Sequence, residues 1–429
     1  MSTIAALWAR RRDRPVLVAL AALALAVLLA YPFADWWFRA QEFGSAFRFG
    51  DFGAYNAAVE RWKGGEGLYR RTDDGGFWGS YLYPPVVVLL FLPFTEPLPF
   101  RQSAMAWVAV TGLLLWLGLQ ALVGALGYDL RWFERLGLAW LLAGFHPVLL
   151  TAKMGQTSLL LGAVLAFAGA TLVRDGTDGA DGGVWAPVSG ACTAVVGIVK
   201  MAYAPVGAHL LHDPRRLKGA LLTVPPVAWL SVRFFGLDAH RTYVEVLQWG
   251  IAKGGDSPRS PTLWLPPYFK PLDWLPAPQA VRVLVCLGIV GLAVLAPPRA
   301  RRTVFALGVA AFPLVTPQTY TYYLVALLPA AVVLLAVEVE RDGYPELVVA
   351  SLLAAHFHAY GLNFFVNVVP GAVPAFAALE PAYLLFQPGL WASATLVGLA
   401  AVRVAGTVDL DGTVALARRR VRSDGGLDD

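Results

Sequence analysis

Arg10-Arg-Arg-Asp-Arg14 runs directly into Pro15-Val-Leu-Val-Ala-Leu20-Ala-Ala-Leu-Ala-Leu-Ala-Val-Leu-Leu-Ala30-Tyr-Pro-Phe33. An uncharged run of this length makes a helix of about 28 Å, close to the hydrocarbon thickness of a bilayer. It is too long for the apolar part of a signal peptide. The Tyr31-Pro-Phe-Ala-Asp-Trp-Trp that follows offers no small-residue cleavage site. The run therefore reads as a retained first membrane helix, and the arginines before it place the N-terminus inside.

The rest of the chain repeats this pattern. Of 429 residues, 57% are hydrophobic and 15% charged, with a mean hydropathy of +0.58. A soluble domain does not need that much apolar sequence. The expected fold class is an all-α polytopic membrane protein. Apolar segments fall near 15–33, 82–94, 103–126, 136–152, 156–173, 186–211, 219–235, 280–296, 303–318, 321–337, 346–368 and 385–402. With all twelve crossing, the basic loops Arg215-Arg-Leu-Lys218, Arg299-Ala-Arg-Arg302 and Arg418-Arg-Arg-Val-Arg422 lie inside. Ten or eleven crossings stay open, because 82–94 is short enough to be re-entrant. Pro205, Pro225-Pro226, Pro313 and Pro329 imply kinked or broken helices. We expect one integral membrane domain over 1–405, with external loops at 34–81 and 236–279, and a cytoplasmic tail over 406–429. The net charge of +5 sits largely in the basic loops, so it marks topology and not nucleic-acid binding.

Loop 34–81 holds the stretch with most chemistry, Asp51-Phe-Gly-Ala-Tyr55. Phe52, Tyr55, Val59 and Trp62 fall on one face of a helix. That face is expected to lie in the membrane interface with its rings at headgroup level. Asp51 is expected just before the helix. It reads either as an N-cap or as an oriented carboxylate serving as a base at the mouth of a membrane cavity. Loop 236–279 carries Tyr243, Trp249, Lys253, Trp264 and Tyr268, and loops of that size between spans are usually functional.

Other groups read as structural. Cys192 and Cys286 lie in apolar segments and suggest no disulfide framework. His146, His209, His356 and His358 show no metal-ligand spacing, and no metal or cofactor is expected. Glu60 and Glu66 lie near Asp51 and could share base duty but read first as solvated charges, Asp73-Asp74 reads as a turn and the run from Asp175 as a linker. Asp409-Leu-Asp411 has a D-x-D form but falls in the tail.

Several short motifs line up in order: Asp51-Phe-x-x-Tyr55, Gly67-Leu-Tyr69, Tyr83-Pro-Pro85, Gly155-Gln156, Lys200 before Pro205, and Thr316-Pro-Gln-Thr-Tyr-Thr-Tyr-Tyr323 before Leu327-Leu-Pro329. Together they resemble the GT87-type (DUF2029) membrane glycosyltransferases of the GT-C superfamily. The resemblance implies a GT-C fold and an acidic residue on the first external loop, matched by Asp51. It also implies an inverting transfer from a polyprenyl-phosphate sugar donor to a glycolipid or glycan acceptor. Relatives commonly carry histidine where Tyr322 and Tyr323 stand, so those residues fit hydrogen-bond donation rather than base catalysis.

The residues suit that chemistry. A carboxylate near the acceptor hydroxyl can take its proton during attack. The departing lipid phosphate needs cations or donors. Lys200, in an apolar segment, is the first candidate for that role, because an ionisable group there is costly to keep. Lys153, Gln156, Tyr322 and Tyr323 join it as candidate phosphate-binding residues. Tyr55, Tyr69, Tyr83 and Trp264 are candidates to line the sugar and lipid path. The expected donor sugar is a hexose, with mannose favoured and a pentose such as arabinofuranose as the alternative. The expected place is the plasma membrane, with the site on the extracytoplasmic face. The competing reading is a lipid-linked-sugar flippase or transporter. If twelve segments cross, Gly155-Gln156 and Lys153 fall on the side away from Asp51. A re-entrant 82–94 would bring them together, and the later basic loops would then need a second re-entrant piece around Lys200–Leu211.

Overall fold

The computed structural model describes residues 9–41, 48–73, 75–77, 79–175, 183–253, 268–269, 271–272, 275–359 and 387–408. Thirteen helices of more than one turn can be followed among these residues. They are α1 (Pro15–Ala40), α2 (Gly50–Lys63), α3 (Phe100–Ala125), α4 (Trp132–Gly144), α5 (His146–Met154), α6 (Ser158–Arg174) and α7 (Trp185–Val199), then α8 (Pro214–Lys253), α9 (Pro278–Leu295), α10 (Arg301–Val315), α11 (Leu327–Glu340), α12 (Pro345–His356) and α13 (Pro388–Ala405). Short 3-10 runs cover Pro85–Leu90, Met201–His212 and Thr321–Ala326. One two-residue strand pair joins Tyr268–Phe269 to Thr319–Tyr320.

The chain is an all-α multi-pass membrane protein. Among the described residues, six helical stretches are long and apolar enough to cross a bilayer, four shorter apolar helices accompany them, and α4 and α5 form a pair bent by 69°. The long helices α1, α8 and α9 expose most of their apolar side chains, as lipid-facing helices do. The inner helices α6, α10 and α11 are buried nearly all round and make the core with α3 and the Pro85–Leu90 run.

The legs run between two ends that differ in chemistry. At one end Arg14 donates to Gly343, Asp175 pairs with Arg216 at 2.5 Å, Arg302 meets Glu340 at 2.9 Å, and Arg403 meets Glu338 at 2.7 Å. The basic loops around Arg215 and Arg299–Arg302 therefore share one end with the N-terminal arginines. At the other end stand Asp35, Asp51, Gln156, Lys200 and Tyr322.

Segment 186–211, expected as one crossing, is a hairpin broken at Lys200. Helix α7 climbs from Trp185, beside Arg174, to Val199. Lys200 then turns extended (φ −142°, ψ 106°), and the Met201–His212 run returns beside α7, where His209 and Thr193 side chains meet at 3.0 Å. Twelve residues suffice for the return because a 3-10 helix rises about 2 Å per residue, giving about 24 Å. The 17 residues of α6 cover about the same length at 1.5 Å each. Tyr203 stacks on Phe312 at 3.7 Å, and Gly308 lets the returning leg close on α10: a Cβ there would lie 2.4 Å from the Pro205 carbonyl oxygen. Close backbone approach at small residues is how helices pack without a hydrophobic driving force. The extra leg changes the parity of the chain. Gly155-Gln156 already share the end of Asp51, because segment 82–94 does not cross: Tyr83 at one side of it and Phe100 at the other both lie beside α2. The extra leg then keeps the later basic loops at the opposite end.

The second long loop also differs from expectation. Helix α8 kinks at Gly236 (φ 70°) and continues to Lys253. This extension carries Tyr243, Glu245 and Trp249 onto the first loop. Tyr243 stacks on Tyr69 at 6.2 Å, Trp249 meets Phe77 at 5.9 Å, and Glu245 pairs with Arg71.

Candidate active site

Helix α2 begins two residues earlier than expected, so Asp51 lies in its first turn and is not its N-cap. The N-cap position is Phe49, held in the left-handed region (φ 62°, ψ 34°) with no side-chain cap. Such a conformation costs a non-glycine residue about 1–2 kcal/mol and persists where the surroundings fix it. Here the Phe49 amide donates to the Lys153 carbonyl at 2.7 Å, and its own carbonyl accepts from Gly53 at 2.8 Å.

The aromatic face of α2 is protein core and not a membrane-interface face. Phe52, Tyr55 and Val59 are buried. Tyr55 stacks on Phe91 at 4.4 Å, and Phe52 lies 6.2 Å from Phe91 and 6.0 Å from Phe100. The Pro85–Thr95 run supplies the facing surface, so burial of these rings sets the rotation of α2 and with it the direction of Asp51.

Three chain segments bring groups to Asp51. Tyr322 hydrogen-bonds its carboxylate, and the Lys200 ammonium is the opposing charge that acts on it. Asp51 as a whole residue is half-buried. Loss of water nonetheless pushes its pKa up to about 6, with Lys200 and Tyr322 pulling against that rise. Lys200 sits 3.5 Å from the ring centroid of Tyr323 and 5.5 Å from that of Tyr83. Its buried Nζ has no hydrogen-bond partner among the described residues. A cation over two rings gains quadrupole attraction but lacks an anion to bond. Tyr320 stacks on Tyr322 at 5.0 Å and stands at the strand pair with Tyr268, which steadies the Thr316–Tyr323 segment.

Tyr83 is the polar hub. Its hydroxyl accepts from Gln156 Nε2 at 2.9 Å, lies 2.9 Å from Thr157 Oγ1 and meets the Tyr55 hydroxyl at 3.3 Å. The Tyr69 hydroxyl donates to the Tyr83 carbonyl at 2.7 Å. Gln156 is fully engaged: its Oε1 accepts from the Ser158 amide at 2.6 Å and hydroxyl at 2.7 Å, closing the N-terminus of α6. Gln156 thus orients Tyr83 and starts a helix. Lys153 is engaged elsewhere as well. It pairs with Asp35 of α1, which also meets Arg39 at 3.0 Å. Trp264 lies outside the described residues.

The turn that carries these groups is pressed on α2. Gly155 has φ 67°, and a Cβ there would stand 2.7 Å from the Phe52 Cβ. Asp35, Thr157 and Tyr320 were not singled out in the sequence. Only Asp35 gave a signal, as a carboxylate two residues past the first apolar run. Beyond the Asp51 turn, a cleft of about 590 Å³ opens along α2, lined by Ala57, Glu60, Arg61, Glu66, Tyr69 and Arg70. Among the described residues no three His, Cys, Asp or Glu side chains gather as a metal site.

Comparison with known proteins agrees with the resemblance read from the motifs. The model of glycosyltransferase family 87 matches residues 81–317, which hold Tyr83, Gln156 and Lys200 and begin after the Asp51 helix. No curated protein matches. Among solved structures the chain is similar to ArnT from Cupriavidus metallidurans bound to undecaprenyl phosphate, with 16% identity over 92% of this chain and 78% of that one and a TM-score of 0.38. It is similar to the apo form of the same protein at 15% identity, 92% and 77% coverage and a TM-score of 0.38. On the strength of the family match, which spans more than half of its length, the chain belongs to glycosyltransferase family 87.

Proposed function

We propose that the protein is a GT-C-type transferase that moves a sugar from a polyprenyl phosphate to a glycan or glycolipid at the end of the membrane opposite its basic loops. By the positive-inside rule that end is extracytoplasmic. The observation that carries the reading is the juxtaposition of a desolvated carboxylate, Asp51, with the buried ammonium of Lys200, which has no hydrogen-bond partner among the described residues. One is suited to take a proton, the other to meet a phosphate.

In this mechanism Asp51 accepts the proton of the acceptor hydroxyl as that oxygen attacks the anomeric carbon. The bond between that carbon and the phosphate oxygen breaks on the opposite face, so the configuration inverts. The electron pair leaves with the lipid phosphate, whose charge is met by Lys200 and by the hydroxyls of Tyr322 and Tyr323. Lys153, held by Asp35, is left out of this set. Gln156 acts through Tyr83, and Tyr55, Tyr69 and Tyr83 wall the sugar path. The charged cleft along α2 is the acceptor's approach. We favour a hexose donor, mannose first and arabinofuranose second. Transfer from each lipid-linked sugar by the reconstituted protein, wild type against Lys200→Met, tests the reading. Wild-type transfer that Lys200→Met leaves unchanged would reject it.

A further inference from the structure

The ion pair between Asp35 and Lys153 lies outside the Asp51–Lys200 site, yet the backbone links it directly to Asp51. Lys153 ends α5 and pairs with Asp35, a carboxylate only 3% exposed near the end of α1. Its carbonyl holds the amide of Phe49 at 2.7 Å. Phe49 is the left-handed residue from which α2 starts, and Asp51 is two residues on. Two positions after Lys153, Gly155 presses on Phe52. Two positions further, Thr157 reaches Tyr83.

We propose that Asp35 and Lys153 are positioning residues: their ion pair fixes the 153–157 turn to α1, and that turn sets where Asp51 stands relative to Lys200. Two features favour this over an incidental pair. Phe49 is in a strained conformation that something must hold, and the Lys153 carbonyl is what holds its amide. Asp35 has a second cation, Arg39, at 3.0 Å, so Lys153 is not needed merely to neutralise it. The pair's distinct contribution is the tie between helices. A buried carboxylate in an apolar helix is costly to keep, which also argues for a function.

The test reads Asp51 itself, independently of turnover. A hydrophobic carbodiimide modifies protonated carboxyl groups, and peptide mass spectrometry locates the adduct. The full-length protein in lipid nanodiscs is labelled between about pH 4 and pH 8, the range around an Asp51 pKa of about 6. The groups facing Asp51 are Lys200, Tyr322, Tyr323, Tyr55 and Tyr83, and all are unchanged in the variants. Lys153→Met is the first variant, because Arg39 still neutralises Asp35 and the fold should persist. Asp35→Asn is the second, and Lys153→Arg is the conservative control.

Lys153→Met and Asp35→Asn are expected to move the Asp51 labelling midpoint by half a pH unit or more, and Lys153→Arg to restore it. If the proposed transfer activity is also right, kcat falls about tenfold with the donor KM within twofold, as for a misplaced catalytic group. Labelling curves for both variants that superimpose on wild type would overturn the inference. So would a raised donor KM with unchanged labelling, since Lys153 would then bind donor directly. A labelling shift in a protein whose wild type transfers no sugar would uphold the tie while rejecting the proposed activity.

Discussion

The ammonium of Lys200 stands 3.5 Å from the ring centroid of Tyr323, at the tip of a hairpin that reaches the site and turns back. Burying a charge with no bonded partner is destabilising, so this residue should lower the stability of the empty protein. Lys200→Met is therefore expected to raise the thermal midpoint in detergent while lowering kcat/KM by about a hundredfold or more. Thermal unfolding and single-turnover transfer, measured on one preparation, check both halves. A variant that is destabilised and fully active would remove Lys200 from phosphate binding.

The raised pKa of Asp51 sets a pH dependence. As a base the group works when ionised, so transfer is expected to rise with pH through about 6 and level off above that. The stability effect has the opposite sign. Folding holds the proton more tightly than the ordinary value of 3.8, so this residue's contribution to stability falls as pH rises from about 4 to about 6. Asp51→Asn should flatten that slope. Rate and denaturation midpoints measured across this range would test both directions.

Tyr83→Phe removes one hydroxyl and strands groups on Gln156, Thr157 and Tyr55. The expected cost is about 1–3 kcal/mol of stability, with roughly tenfold lower turnover. Tyr69→Phe loses a single bond to the Tyr83 carbonyl. It should cost about 1 kcal/mol and leave turnover within about threefold. Equal effects from the two changes would mean that the Tyr83 hydroxyl is not a hub.

Gly308→Val sets a side chain where a Cβ would already lie 2.4 Å from the Pro205 carbonyl. The returning leg must then separate from α10, and Lys200 moves with it. We expect loss of transfer together with poor recovery of folded protein from the membrane. Gly291→Val, at a glycine with nothing within 4 Å of its would-be Cβ, is the control and should behave as wild type.

Asp51 and Lys200 were legible because ionisable groups next to or inside apolar sequence are rare and expensive. The multi-pass fold was legible for the same physical reason, that long uncharged runs have few other uses. What the sequence hid was direction. Segment 186–211 has the length of one tilted span, and only Lys200 and Pro205 mark the break. A 3-10 return needs fewer residues than an α-helix, so length alone undercounts the legs. The start of α2 was missed because a left-handed phenylalanine has no local signature; it is imposed by Lys153 across a long sequence separation. The aromatic face of α2 was assigned to lipid because periodicity shows that a face is buried and not what buries it. Asp35 was passed over because it falls just past the apolar run that ends at Phe33. The histidine pair His146 and His356, read as structural, does bond through the His146 amide at 3.2 Å.

The central claim is that Asp51 is the base in a sugar transfer from a lipid phosphate. Its most direct test is transfer of radiolabel from polyprenyl-phosphate-mannose to membrane glycolipid by proteoliposomes carrying wild type or Asp51→Asn, with folding of the variant checked by thermal unfolding. We expect transfer by wild type and a loss of about a thousandfold or more in the folded variant. Transfer by a folded Asp51→Asn at the wild-type rate would contradict the account.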